Sequence, residues 1–467
     1  MNETLHRDNA AIDDVLGDTL AAALDFLTTL PDRPAGLSFR KGPPPILPVA
    51  GLGARAALDL FQERYAAGLT GSAGPRYLGF VTGGATPAAL AGDWLTGAFD
   101  QNVTGSADSS APAVEADALD LVRQFLGLPA DLAGTFVTGA TMASFVGLAL
   151  GRQWAARRLG GDPARDGLYG LPPITVLSGA PHSSILKGLA MLGMGRRQLR
   201  AVACLPGREA VDPAALRRAL EELDGAPAII VGNAGTVNTT DFDDFAALAA
   251  LRDEFGCWLH IDAAFGGFAA ASADHRHLLA GWEAADSITV DLHKWLNVPY
   301  DAAIQLTRHP RLQLEVFQNN AAYLDAGDGA PDLVHLTPEN SRRLRALPAW
   351  MTLMAYGAAG HGEIVERTCR LARGLGERIA ADSRLRLLAP VRLNVVCFTL
   401  AGPDAPAMAA VRQFLAAVER SGRAFLTPTV YGGVPAMRAA FSNWRTDDAD
   451  LELIWAALDE AAGLPEC

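Results

Sequence analysis

Residues 289–301, TVDLHKWLNVPYD, decide how the chain is read. A short apolar run with strand character ends there in Lys294, which stands between His293 and Trp295. Lysines are rarely buried without a partner or a task. One task that fits is a Schiff base, which turns the amine into an imine and changes the cost of an isolated buried charge. The competing reading is structural, with the stem packed on Trp295 and the head reaching water. The surrounding chain has to separate the two.

The chain has 467 residues, enough for a substantial core and more than one domain. Hydrophobic residues make up 50% and charged residues 19%, a globular composition rather than a disordered one. The formal net charge of −13 opposes nonspecific binding to a polyanionic backbone, and no basic tract interleaved with aromatics offsets it. Nucleic acid is therefore not expected as a partner. Cysteines at 204, 257, 369, 397 and 467 show neither a CxxC pair nor zinc-ligand spacing, so no metal site is expected. Their odd, dispersed arrangement points to a reducing compartment. Apolar stretches break at Gly, Pro or charge before reaching membrane-spanning length, and the N-terminus lacks a signal-peptide pattern. The expectation is a soluble cytoplasmic protein with no membrane association.

Working outward, residues 174–177, 228–232, 258–261 and 287–290 read as strands, with helical patterns between them such as the run through Phe245, Leu248 and Leu251. Strands alternating with helices favour an open α/β sheet whose chemistry sits near the carboxyl ends of the strands. On that geometry Thr236, Asp262 and Lys294 approach one edge. Thr141 belongs to a small-residue turn, 138–141, before a long helix, where free backbone donors and a hydroxyl can hold phosphate; ordinary capping competes. His182 stands where a strand gives way to a helix and can lie against a flat aromatic ring or move a proton. A carboxylate at Asp262 beside a heteroaromatic nitrogen would favour the charged ring as an electron acceptor. Each residue also has a bland explanation, and the combination is what favours chemistry.

Two flanking regions are less specific. Residues 1–73 read as an N-terminal helical arm, with an amphipathic pattern over 11–30 and a second helix near 58–67. Beyond about 350 the order helix, strand, helix, strand, strand, helix predicts a smaller α/β domain, which leaves 74–349 as the large domain. The segment after Asp301 reads as helix or helix-loop to about Leu324, followed by a turn-rich lid candidate at 325–340.

The ordered motifs GPRYLGF (74–80), TGATMAS (138–144), PHSS (181–184), NAGTVNTT (233–240), HIDAAFGG (260–267) and DLHKWLNVPYD (291–301) resemble the pyridoxal-phosphate-dependent group II amino-acid decarboxylases. The resemblance spans almost the whole chain and implies an aminotransferase-like α/β fold, pyridoxal 5'-phosphate as cofactor, and a homodimer whose active sites use both subunits. It assigns Lys294 as the cofactor-linked lysine, Asp262 as the partner of the pyridine nitrogen and His182 as the residue stacked on the ring. Ala140 and Thr141 match the phosphate turn, Thr236 the ring's oxygen side, and His293 a phosphate contact or an aid in placing the linked lysine. The chain departs from the family in two places. Met142 replaces a carboxylate of the phosphate turn, and the mobile-loop tyrosine falls near Leu333, with no tyrosine between Asp325 and Trp350. His335 is the nearest proton-transfer candidate. Phe80 and Val81 border the expected side-chain pocket, and Phe80 favours an aromatic or apolar amino-acid substrate. Decarboxylation to an amine and CO2 is the expected reaction. An aldehyde synthase, an aminotransferase, another lyase or a non-catalytic cofactor-binding protein are the alternatives.

Overall fold

The computed structural model describes residues 2–36, 42–105, 109–319 and 331–463. Seven strands form the central sheet: β1 (Ala133–Val137), β2 (Thr175–Ser178), β3 (Leu199–Ala201), β4 (Ala228–Asn233), β5 (Trp258–Asp262), β6 (Ser287–Val290) and β7 (Ala303–Thr307). Their spatial order is β1-β7-β6-β5-β4-β2-β3, parallel from β6 through β3, with β7 antiparallel to both neighbours. This is the open, mostly parallel α/β sheet expected from the strand-helix alternation.

The strand β7 was not expected, because 302–307 sits in a segment that reads as helix. Its alanine-rich start has weak strand preference, and antiparallel pairing on both edges, to β1 and β6, overrides that local tendency. A helix does follow, at Pro310–Phe317. The lid candidate at 325–340 falls partly outside the described residues; its described part contains the one-turn helix Leu333–His335.

Alternation along the strands divides the core into two layers. Ile229, Val231 and Trp258 pack with the helices Ala140–Arg158 and Ser183–Met191, while Ile230, Leu259 and Ile261 pack toward the helices Ala111–Leu126, Pro213–Glu221 and Phe245–Phe255. Asp262 continues the 258-260-262 face and so points toward the start of the helix Ala140–Arg158. That helix lies very close to β5. A Cβ at Gly147 would fall 2.6 Å from His260 Nδ1, so any larger residue would push the helix off the sheet.

The C-terminal part is a second, antiparallel sheet of β8 (Leu385–Leu387), β9 (Val395–Leu400), β10 (Thr427–Tyr431) and β11 (Val434–Ala440), in the order β10-β11-β9-β8. The helices Leu347–Ala381, Met408–Arg420 and Asp448–Ala462 share its core. The first of these bends at Gly357, whose φ of 61° is left-handed; its leading turns join the large core and its later turns the small one. The segment that leads into the expected pocket is tied to this second sheet. Leu78 N–H donates to Phe425 O at 2.9 Å, Ala440 N–H donates to Leu78 O at 2.9 Å, and Arg76 pairs with Asp450 at 2.8 Å.

The arginines of 342–345 take separate partners. Arg343 pairs with the partly exposed Asp93, and Arg345 with Asp301 and Glu339. Arg342 and Glu115 form a fully enclosed pair at 2.8 Å, and Arg342 also donates to the carbonyl oxygens of Val103 and Phe136. Removing one member strands the other charge in the core. Glu115→Ala is therefore expected to lower the unfolding free energy by about 3–5 kcal/mol, measured by urea denaturation, and a loss below about 1 kcal/mol would contradict the burial argument.

Candidate active site

Nine of the ten residues singled out in the sequence line one cavity of about 300 Å³ at the carboxyl ends of β4, β5 and β6: Phe80, Val81, Ala140, Thr141, His182, Thr236, Asp262, His293 and Lys294. His335 does not. It lies buried in the one-turn helix Leu333–His335, where its Nδ1 accepts the Asn319 N–H at 3.2 Å. Ser184, Asn233, Asp291 and Arg438 also line it with polar side chains and were not singled out in the sequence.

Each side chain arrives by a short route. β5 ends on Asp262, whose Oδ1 accepts the Ala264 N–H at 3.1 Å. β6 leads through Asp291 into the single turn Leu292–Trp295, which carries His293 and Lys294 while Leu292 and Trp295 anchor it in the core. His182 is the cap of the helix Ser183–Met191; its Nδ1 accepts the Ser184 N–H at 3.2 Å, so the ring proton belongs on Nε2. Gly139, Ala140 and Thr141 bring the start of a 19-residue helix to the cavity, with its unpaired donors and positive dipole end. Phe80 and Val81 adopt left-handed φ angles of 57° and 58°, an unfavourable pair for residues with side chains, which turns both toward the cavity mouth.

The lysine turn is clamped from behind. Asn297 Nδ2 donates to the carbonyls of Gly83 and Ser442 at 2.6 and 2.8 Å, and a Cβ on Gly83 would overlap the Lys294 carbonyl. Lys294 Nζ lies 3.2 Å from Asp291 Oδ2 and 5.6 Å from the centroid of Phe265. His293 Nε2 lies 3.1 Å from Asp291 Oδ1, and its Nδ1 accepts the Ala302 N–H at 3.3 Å. The Tyr300 ring rests against the imidazole at 4.4 Å.

The electrostatics differ from group to group. Burial pushes the Asp262 carboxyl above its usual range, opposed by Lys294 and His182. Burial likewise pulls His182 below the usual imidazole range, so the ring is neutral near pH 7 although its face is open to the cavity. Burial also acts against the Asp291 carboxylate, but the nearby Lys294 and His293 outweigh it and hold this acid low. Thr236 directs its hydroxyl proton to Glu209 Oε2 at 2.6 Å and accepts the Asp241 N–H at 3.0 Å. Its hydroxyl is thus committed to the loop that shapes the cavity wall. Arg438, on β11, donates to Val237 O at 2.6 Å, and its buried Nε has no hydrogen-bond partner among the described residues.

These groups meet the separate demands of pyridoxal phosphate: an amine for its aldehyde, a carboxylate for its ring nitrogen, a neutral flat ring for its face and a helix start for its phosphate. The fold and this donor set define a pyridoxal-phosphate enzyme. Residues 60–401 match the profile of the pyridoxal-dependent decarboxylase conserved domain. The chain is 28% identical over 419 residues to tryptophan decarboxylase 1 of Oryza sativa subsp. japonica, covering 83% of this chain and 80% of that protein. It is 26% identical over 464 residues to 4-hydroxyphenylacetaldehyde synthase of Rhodiola rosea, covering 94% and 93%. A crystal structure of Oryza sativa TDC with PLP and tryptamine shares the fold, with a TM-score of 0.87, 24% identity and 97% of each chain covered. The chain belongs to the pyridoxal-dependent decarboxylase family, and it is a pyridoxal-phosphate-dependent amino-acid decarboxylase.

Behind the lining residue Asn233 lies a further buried acid. Asp243 accepts the N–H groups of Val211 and Asn233 at 2.6 and 2.8 Å, and burial raises its pKa from 3.8 to about 6. A folded-state value above the unfolded one means stability that is present at low pH and lost as pH rises through about 6. Relative to Asp243→Asn, the wild type is expected to lose up to about 3 kcal/mol of unfolding free energy between pH 4 and pH 7. Urea denaturation across that range checks this, and parallel pH profiles for the two proteins would contradict it.

Proposed function

We propose that this decarboxylase acts on an L-amino acid with an aromatic or other apolar side chain, releasing the amine and CO2, and that Lys294 holds the cofactor. The observation that carries the second point is a lysine amine held against a carboxylate inside a cavity that Asp262 and His182 also line. Bound pyridoxal phosphate supplies an electron sink for the pair left on Cα when CO2 departs.

The remaining roles fall to the chain. Asp262 keeps the ring nitrogen protonated, His182 limits movement of the ring, and the backbone donors of Ala140 and Thr141 with the Thr141 hydroxyl bind the phosphate. The Thr236 loop closes the wall on the ring's oxygen side, and His293 braces the lysine turn. Arg438 lines the cavity and offers its positive charge to the substrate carboxylate. Phe80 and Val81 supply apolar surface for the substrate side chain. Aromatic substrates are supported by relatives named as tryptophan decarboxylases and as an aromatic-L-amino-acid decarboxylase of Catharanthus roseus. His335 is not a proton donor to its own chain's cavity in this reading.

A homodimer is part of this proposal. The helix Ile12–Thr29 has no buried residue, and Leu16, Leu20 and Leu24 along it are exposed, as are Phe61, Trp94 and Phe99 nearby. The N-terminal arm, 1–73, thus presents an apolar face suited to a second copy, beside the large domain (74–349) and the small one (350–467). Sedimentation at micromolar concentration is expected to give a dimer, and Leu16→Glu with Leu20→Glu to shift it toward monomer. A wild-type monomer would remove this part of the proposal. Four cysteines without disulfide partners among the described residues support a cytoplasmic setting; no helix among those residues is long and apolar enough to cross a membrane.

Reduction of the pyridoxal-phosphate-loaded protein with borohydride is expected to leave the cofactor covalently on Lys294, and Lys294→Ala to lose both the adduct and at least about three orders of magnitude in turnover. Mass spectrometry over a panel of amino acids should then show amine from aromatic or apolar members. An adduct elsewhere overturns the lysine assignment. Aldehyde as the main product favours the synthase activity for which the Rhodiola rosea relative is named, and a keto acid favours amino transfer.

A further inference from the structure

We propose that Glu209 is a positioning residue whose carboxylate locks the turn 236–239 of the cavity wall against the second sheet, and thereby sets where Arg438 stands for the substrate carboxylate. This rests on the reading of Arg438 as the partner of that carboxylate.

The two oxygens of Glu209 are used differently. Oε2 accepts the Thr236 hydroxyl at 2.6 Å, the Thr239 hydroxyl at 2.8 Å and the Thr239 N–H at 3.2 Å, while Oε1 accepts Asn238 Nδ2 at 2.9 Å. Donors from three residues of one short turn thus converge on a single side chain. Thr236 and Thr239 are buried, so a donor that lost its acceptor there would have little water to turn to. Glu209 is itself held in place, because its N–H donates to Oδ2 of the fully buried Asp241 at 3.1 Å.

From this turn the connection passes to the small domain. Asn238 Oδ1 accepts the Thr429 hydroxyl of β10 at 2.6 Å, and Val237 O accepts Arg438 Nη1 of β11 at 2.6 Å. Thr236, Val237 and Arg438 all line the cavity. Arg438 is 8% exposed and pairs with no carboxylate among the described residues, so the Val237 carbonyl is what aims it. Burial lowers its guanidinium below the ordinary value, and the negative charge of Glu209 acts against this. Glu209 therefore serves Arg438 twice, through the carbonyl of the turn it clamps and through space as a charge. An acid in direct contact would occupy the cation; one that binds the neighbouring turn leaves it open to a substrate.

The test titrates the pyridoxal-phosphate-loaded full chain by calorimetry with two probes, each carrying half of an aromatic amino acid. One is 3-phenylpropanoate, with the carboxylate and no amine; the other is 2-phenylethylamine, with the amine and no carboxylate. Glu209→Ala is expected to weaken 3-phenylpropanoate about tenfold and to change 2-phenylethylamine by less than about twofold. Equal weakening of both probes, or of neither, overturns the proposal, since a general loosening of the cavity would not discriminate between them. Glu209→Gln keeps an oxygen for Thr236 and Thr239 but removes the charge and turns an NH2 toward Asn238. It is expected to weaken 3-phenylpropanoate alone, by about threefold, and decides the matter if Glu209→Ala does not fold; an unchanged affinity overturns the proposal. A wild type that does not bind 3-phenylpropanoate, or an Arg438→Ala variant that binds it as tightly as wild type, defeats the reading of Arg438 instead. The hold on the turn is then read from hydrogen exchange over residues 236–241, expected to be at least about fivefold faster in Glu209→Ala, and unchanged exchange overturns it.

Discussion

A partly buried ammonium just beyond a sheet strand is the constraint that the rest of the molecule serves. Lys294 is largely withdrawn from water, and Asp291 provides a counter-charge at 3.2 Å. Both lie beyond β6, at one end of the parallel run β6-β5-β4-β2-β3, whose strands present their carboxyl ends to the same side. That shared direction brings Asp262 from β5 and the wall of the cavity from β4 to the same place. Sheet polarity thus gathers residues that are far apart in the chain.

Holding the constellation requires both parts of the molecule. The helix Ala140–Arg158 can lie against β5 only because Gly147 leaves room for His260, and this closeness brings its first residues to the cavity. The lysine turn is held through Asn297 to Gly83 and to Ser442, a residue beyond the end of β11. Arg438 enters from β11 and is tied to Val237 of the large sheet's loops. The cavity therefore lies between two sheets, and movement of either against the other would open it.

Within the cavity, charge is divided by environment rather than by residue type. Asp262 and Asp291 are both deeply buried, yet burial raises the first while a direct ammonium and imidazole hold the second low. His182 is neutral because the protein desolvates it, which suits a ring that contacts a flat partner without bringing a charge. Thr236 has its hydroxyl tied to Glu209 and Asp241, so the wall it belongs to is shaped by hydrogen bonds made away from the cavity.

Much of this was legible in the linear chain. The alternation of apolar strands and amphipathic helices determined the parallel sheet, and local motifs determined Lys294, Asp262, His182 and the turn at Ala140 and Thr141, because each lies where a strand meets its following turn. Asp291 was equally available, three residues before Lys294, but an acid there also reads as a helix cap. Other features had no local signal. The strand β7 owes its form to neighbours on both sides, Arg438 stands 144 positions after Lys294 on another sheet, and His335 turned out to be packed away from its own chain's cavity. Local patterns specify what a segment forms and which chemistry it carries; only tertiary packing, by closing distances along the sheet and between the two sheets, decides which groups meet.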